Sequence, residues 1–266
     1  MHSKRIITGF ILGLMAIWSI FWWPSYAFIL LCTLLMSWAA LEWIAFVKIK
    51  RWWQQAIAIA VLWALMVLGN RYDVITYYIS ILWWIVGLGV VLLPFKQSTW
   101  LKRPVFLLPL GLVLLIPTWV AIINLQQQNP TVLFYLIMLI CFADTGAYFV
   151  GTKWGKHKLF PVLSPKKSLE GLIGGLVVGS VAGMGVTFFI PNQTAHHYVM
   201  WLVLGFFLIL VSVLGDVFES LVKRQCEIKD SGNILPGHGG VFDRIDSLTA
   251  TLPVFALVCI ILGLIQ

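Results

Sequence analysis

The sequence predicts an all-α fold, a polytopic bundle of about nine transmembrane helices with its N-terminus on the cytoplasmic side. Three observations carry that prediction. Hydrophobic residues make up 61% of the 266-residue chain and charged residues 11%, with a mean hydropathy of +0.95, so polar side chains are too few to cover a water-soluble globule of this length. The apolar residues fall into runs long enough to cross a hydrocarbon core, which takes roughly 20 residues as a helix. The basic residues gather in alternate connections between those runs, the pattern that marks cytoplasmic loops.

The first run, 6–23, follows Lys4 and Arg5 as a secretory signal would, but it is long and no small-residue cleavage pattern comes after it, so it reads as a retained helix. Pro24 and Ser25 mark a turn into the second run, 26–46. The third and fourth, 54–70 and 77–95, are divided by a turn at Asn70 and Arg71, and the fifth and sixth are 104–123 and 131–150. A long polar connection, 151–168, precedes the seventh run, 169–190; Pro165 stops any earlier helix and Ser168 supplies an N-cap. The eighth run, 198–218, leads into a second long connection, 221–246, and 247–265 is the ninth. Tryptophans near the expected helix ends, Trp22, Trp23, Trp52, Trp53, Trp83, Trp84 and Trp100, read as an interfacial belt. Cys32, Cys141, Cys226 and Cys259 are too scattered for a disulfide framework or a metal site and read as buried or inert thiols.

With the N-terminus inside, the inner segments hold every one of the 18 basic residues except Arg71. The net charge of +8 therefore describes a basic inner face, suited to anionic lipid heads or nucleotide phosphates; it does not call for a nucleic acid. No hydrophilic domain, low-complexity tract or internal repeat interrupts the chain, which predicts a single membrane domain over 1–266. Within it, 1–130 has short loops and helices rich in Trp, Leu and Ile and reads as scaffold. The remainder, 131–266, holds all ten acidic residues except Glu42 and Asp73, together with both long inner connections, and reads as the catalytic part.

Asp144 lies near the inner end of the sixth helix and Asp216 near the inner end of the eighth, each about 10 Å below the inner surface at 1.5 Å per residue. Ionised groups at that depth are costly and mark functional sites, and two at matched depth invite a shared cation. Glu219, Ser220 and Lys223 follow Asp216 along one helical face, where Glu219 is as well explained by a solvated helix end as by a ligand. Asp243 and Asp246, at i and i+3 on a helix beginning there, offer the hard oxygen ligands that Mg²⁺ takes alongside substrate phosphates. Gly237, Gly239 and Gly240 let backbone N–H groups approach an anion, with His238 between them as a phosphate ligand or proton carrier. In the other connection, Lys166 and Lys167 stand beside a helix N-terminus, an arrangement suited to anions, although cytoplasmic retention alone explains lysines there.

The run from Ser220 through Lys223-Arg224, Lys229-Asp230, His238-Gly239-Gly240 and Asp243-Arg244-Ile245-Asp246 resembles the fingerprint of phosphatidate cytidylyltransferases. Upstream, the blocks 144–148 and 164–171 resemble two further blocks of that family in the expected order, with Ser168 and Leu169 where Thr and Trp are expected. Before residue 130 the likeness is one of hydropathy, with Glu42-Trp43 added. The resemblance implies an enzyme of phospholipid biosynthesis that joins CTP to phosphatidate, giving CDP-diacylglycerol and pyrophosphate, in a multi-pass protein of a bacterial inner membrane with its site facing the cytoplasm. It implies Mg²⁺ held by Asp144, Asp216, Asp243 and Asp246, with Lys223 and His238 also catalytic. Substrate binding then falls to Ser164, Lys166, Lys167, Ser220, Arg224, Lys229, Asp230, Gly239, Gly240 and Arg244. It also leaves room for a second, monovalent cation and for a homodimer.

The nearest alternative is a CTP-dependent lipid kinase of the dolichol kinase type, which would move the γ-phosphate to an alcohol. A CDP-alcohol phosphatidyltransferase is disfavoured because the acidic pair here is D-x-x-D and the D-G-x-x-A-R element is absent. A cation-coupled transporter would account for Asp144 and Asp216 but not for the His-Gly-Gly connection, and shows no broken helices or inverted halves. A purely structural membrane partner would bury those carboxylates to no purpose.

Overall fold

A computed structural model describes residues 2–191, 193–232, 234 and 239–265. Among the described residues the chain forms nine α-helices: α1 (His2–Trp22), α2 (Ser25–Phe46), α3 (Trp52–Arg71), α4 (Asp73–Leu92), α5 (Pro104–Gln128), α6 (Pro130–Trp154), α7 (Leu169–Thr187), α8 (Ala195–Gln225) and α9 (Phe242–Ile261). Eight of them, α2 to α9, are long and apolar enough to cross a membrane, so the polytopic helical membrane fold expected from hydropathy is the one adopted. Leu30, Leu34, Ile57, Val67, Leu82 and Ile85 point out of the bundle, as side chains that meet lipid instead of water do.

The helix ends differ from those drawn by hydropathy, and charge pairing explains why. α8 runs 31 residues to Gln225 instead of stopping at 218, and α9 starts at Phe242 instead of 247. An apolar window closes at the first charges, whereas the helix continues wherever those charges find partners. Glu219 and Lys223 pair at i, i+4 within the added turns of α8, and Lys223 also pairs with Asp243 in the added turn of α9.

α5 runs through the middle of the bundle, with α2, α3, α4, α6 and α9 packed on it. α6 and α7 form a tight antiparallel pair, close enough that a Cβ on Gly175 would lie 2.8 Å from the Ala143 carbonyl oxygen. Between them the connection is not all loop: β1 (Lys158–Phe160) and β2 (Ser164–Ser168) form an antiparallel hairpin, with Lys158 opposite Ser168 and Phe160 opposite Ser164. Ser168 caps α7 as expected, its Oγ accepting the Gly171 N–H at 3.1 Å.

The tryptophans divide between core and surface. Trp22 and Trp52 are exposed at helix ends, but Trp84, expected in the interfacial belt, is buried and donates its indole N–H to the Thr249 carbonyl at 3.2 Å. Trp43 is likewise buried, donating to the Leu107 carbonyl at 2.7 Å. An indole whose one donor is satisfied inside the bundle gains more from packing than from an interface. The cysteines are unpaired; Cys32 and Cys259 are buried, burial pushes the Cys226 thiol above its ordinary range, and Cys141, expected to be buried or inert, is exposed on α6.

Several contacts gather the helix ends that carry the charge. Gln225 at the end of α8 donates from Nε2 to the Phe95 carbonyl at 2.7 Å and to Ser98 Oγ at 2.8 Å, tying α8 to the 3-10 segment Phe95–Lys102 between α4 and α5. The end of α2 meets the segment that precedes α9 through Glu42. The far end of the bundle carries Arg71 and a small polar group in which Asn124 donates to Asp73 and to Tyr77.

Candidate active site

The last turns of α8 carry Asp216, Glu219 and Lys223 at i, i+3 and i+7, one face of the helix. That face meets the start of α9 where the two backbones come close: a Cβ on Gly215 would lie 2.7 Å from the Asp246 carbonyl oxygen. The result is a cluster in which Asp216, Glu219 and Asp246 each offer a carboxylate oxygen within 4.8 Å of the others. Glu219, equally readable from sequence as a solvated helix end, is only 3% exposed, and its Oε1 has no hydrogen-bond partner among the described residues. A buried acceptor without a donor is costly, and three carboxylates this close repel. A hard divalent cation answers both problems, so the donor set fits Mg²⁺.

Lys223 stands behind this cluster, its Nζ 2.7 Å from Glu219 Oε2 and 2.8 Å from Asp243 Oδ1. Asp243 is further engaged by backbone donors, taking the Ser231 N–H at 3.0 Å and the Gly240 N–H at 2.9 Å on Oδ2. Both of its oxygens are thus in use, and it stands outside the acidic triplet. Of the expected Asp144, Asp216, Asp243 and Asp246, Asp216 and Asp246 meet with Glu219, while Asp144, Asp243 and Asp246 line one recess and Asp243 pairs with Lys223.

Asp144 on α6 opens onto two recesses. One, of about 290 Å³, is shared with Ser164, Lys166, Lys167 and Asp216 beside the N-terminus of α7. The other, of about 120 Å³, lies between α6 and α9 and is shared with Ile140, Arg244, Asp246 and Leu248. Lys167 bridges toward the acidic cluster, its Nζ 2.6 Å from Asp216 Oδ2, and Asp144 lies within electrostatic reach of Lys167, Asp216 and Arg244. The lysine-bearing hairpin is held by Glu170, which accepts the backbone N–H of Lys156 at 3.1 Å and of His157 at 3.2 Å and pairs with His157 Nδ1 at 2.6 Å.

Asp144, Asp216, Asp246, Lys167, Lys223, Asp243 and Arg244 therefore converge, with Ser164 and the exposed Lys166 on the rim. Arg224, Lys229 and Asp230 are exposed beyond them and make no ion pair among the described residues; Ser220 is half-buried on α8. Gly239 has a left-handed φ of 81°, and a Cβ there would press on Asp243 Oδ2. Gly237 and His238 lie outside the described residues. Sequence reasoning assigned no role to Glu42, whose carboxylate is buried against the same connection. The available signal was its position, an acidic residue at the inner end of an otherwise apolar run.

These features define an integral membrane protein in which a carboxylate cluster and a lysine-lined cavity meet at one end of a helical bundle. The model of the cytidylyltransferase family matches residues 3–262, and the chain belongs to that family. It is 34% identical over 268 residues to a phosphatidate cytidylyltransferase of Pseudomonas aeruginosa, covering 96% of each chain. It is 38% identical over 190 residues to a phosphatidate cytidylyltransferase of Haemophilus influenzae, covering 66% of this chain and 65% of that one. A phosphatidate cytidylyltransferase of Bacillus subtilis is 44% identical over 135 residues, with 51% of this chain and 49% of its own length covered.

Proposed function

We propose that the protein is a Mg²⁺-dependent CTP:phosphatidate nucleotidyltransferase, forming CDP-diacylglycerol and pyrophosphate at the cytoplasmic face of a bacterial inner membrane. The observation that carries this reading is the meeting of Asp216, Glu219 and Asp246 beside Lys167, with an acceptor of Glu219 left unpartnered. The names of the relatives point to the same substrates.

In the reaction an oxygen of the phosphatidate phosphate attacks the α-phosphorus of CTP, the α–β anhydride bond breaks, and pyrophosphate leaves with the electron pair. A phosphate monoester has its second pKa near 6 and is largely dianionic at neutral pH, so no strong general base is required. The barrier is chiefly repulsion between two polyanions, and positive charge fixed in advance lowers it. Mg²⁺ held by Asp216, Glu219 and Asp246, with Asp144 beside them, would supply Lewis-acid charge at the reacting phosphates. Lys167 and Lys166, at the N-terminus of α7, bind a phosphate chain in the larger recess. Arg244 faces the recess whose walls include Ile140 and Leu248, a guanidinium over an apolar cleft that suits a lipid phosphate with its acyl chains. Lys223 holds Glu219 and Asp243 in place behind the cluster.

The side of the membrane follows from the substrates. CTP is a soluble polyanion of the cytoplasm and phosphatidate stays in the bilayer, so the reaction needs an inner interface, and the basic residues other than Arg71 lie in the segments expected there. Purified protein in mixed micelles with phosphatidate tests the reading. Label at the α-phosphate of CTP is expected in the lipid and label at the γ-phosphate in pyrophosphate; γ-label in the lipid, as a lipid kinase would give, overturns it. Chelation with EDTA is expected to stop transfer and Mg²⁺ to restore it, and transfer that persists in chelator sinks the metal assignment.

A further inference from the structure

We propose that Glu42, in the half of the chain that reads as scaffold, is a positioning residue for the transfer reaction, fixing the start of α9 and with it the acidic cluster. The inference rests on the reading above. Glu42 sits at the inner end of α2 and is 7% exposed. Its Oε1 accepts the Val241 N–H at 3.0 Å, and its Oε2 accepts the Phe242 N–H at 2.8 Å and the Ser231 hydroxyl at 3.0 Å. Among the described residues it pairs with no Lys, Arg or His. A buried carboxylate held only by neutral donors is tolerated where it does something those donors need.

What they need is a cap. The N-cap of α9 is Val241, which has no side-chain acceptor, so the first N–H groups of the helix are orphaned within their own segment. Glu42 supplies the acceptor from another helix, 199 and 200 residues away in sequence, and places its negative charge at the helix N-terminus where the dipole favours it. The approach is close: a Cβ on Gly232 would lie 2.5 Å from Glu42 Oε1, and one on Gly240 would meet Ser231 Oγ and lie 2.5 Å from Glu42 Oε2, so neither position has room for a side chain beside the Glu42 network.

From Glu42 a continuous chain of contacts leads to the site. Ser231 donates its hydroxyl to Glu42 and accepts the Asp243 N–H at 3.3 Å; Asp243 pairs with Lys223, and Lys223 with Glu219 of the triplet. Loosening the cap lets the first turn of α9, which carries Asp243 and Asp246, shift against α8.

Glu42→Gln tests this, because it keeps the side-chain volume but sets an amide NH₂ against a backbone donor. A purely space-filling Glu42 predicts no change. The positioning role predicts a folded protein whose kcat is about 10–100-fold lower, with the KM for CTP little altered because the lysine recess is untouched. Hydrogen–deuterium exchange of full-length protein in micelles should show the amides of Ser231, Gly240, Val241 and Phe242 exchanging faster, those of α5 unchanged. Wild-type kcat and wild-type exchange in Glu42→Gln overturn the proposal. Should that variant fail to fold, Ser231→Ala leaves both backbone bonds to Glu42 and removes the hydroxyl that joins Glu42 to the Asp243 N–H. It is expected to lower kcat several-fold, and an unchanged kcat overturns the relay. If the wild-type chain itself moved no CMP, the functional reading would fail while the exchange measurement still judged Glu42.

Discussion

The two long polar connections at the active end of the bundle are secured in opposite ways. The connection from α6 to α7 is a hairpin tied by the Glu170–His157 pair, with the His157 side chain 78% exposed, and by Lys167 to Asp216. The connection from α8 to α9 is clamped by Lys223 and Asp243, 12% and 8% exposed, and by the buried Glu42. Water screens the first tie and leaves it weak, whereas removing one partner from a buried charge pair strands the other. The buried clamp is the one that holds carboxylates against their mutual repulsion. The hairpin carries Lys166 and Lys167 beside the larger recess.

Four substitutions break or sharpen that contrast. Asp246→Asn removes a member of the triplet and should lower CMP transfer about 10²–10³-fold at unchanged expression and folding; a variant retaining a tenth of wild-type turnover would remove Asp246 from the site. Lys223→Met leaves Glu219 and Asp243 buried without their cation, and a loss of about 3–5 kcal/mol is expected in chemical unfolding of the micellar protein. Wild-type unfolding of that variant would show that the clamp contributes nothing. Lys167→Ala, on the hairpin, should raise the KM for one substrate roughly 10-fold with a smaller effect on kcat, and unchanged KM for both CTP and phosphatidate would refute its binding role. His157→Ala should alter turnover by no more than about twofold. A loss of stability in the same unfolding measurement comparable to that of Lys223→Met would erase the distinction between the two connections.

Much of this was legible in the sequence, for reasons that differ from residue to residue. The apolar runs gave the helices because lipid selects each span by its own hydropathy. The charged turns at the end of α8 and the start of α9 fell outside the apolar runs but were legible as helix from the i, i+3 and i+7 spacing of their charges; the pairing of Glu219, Lys223 and Asp243 across the two elements was not. Asp144 and Asp216 stood out because ionisable groups in a spanning segment are conspicuous against their surroundings, and Asp246 through its i, i+3 spacing from Asp243. Asp243 shares its face with Asp246 by i, i+3 spacing, but spacing along one helix says nothing of the lysine that reaches it from another. Glu42, although part of the Glu42-Trp43 likeness, carried no role from sequence because its partners, two backbone N–H groups and the Ser231 hydroxyl, lie 189 to 200 residues away.

Hydropathy and charge, read along the chain, determined the membrane class and the end of the bundle where the basic residues collect; of the nine spans expected, eight among the described residues are long and apolar enough to cross. Those are local properties, and a bilayer acts on them segment by segment. Which carboxylates share a cation-sized space, which is tied up by a lysine and which caps a distant helix were decided only in the folded bundle. They depend on the close approach of α8 to α9 at Gly215 and of α2 to the start of α9, contacts between residues far apart in the chain that packing alone brings together.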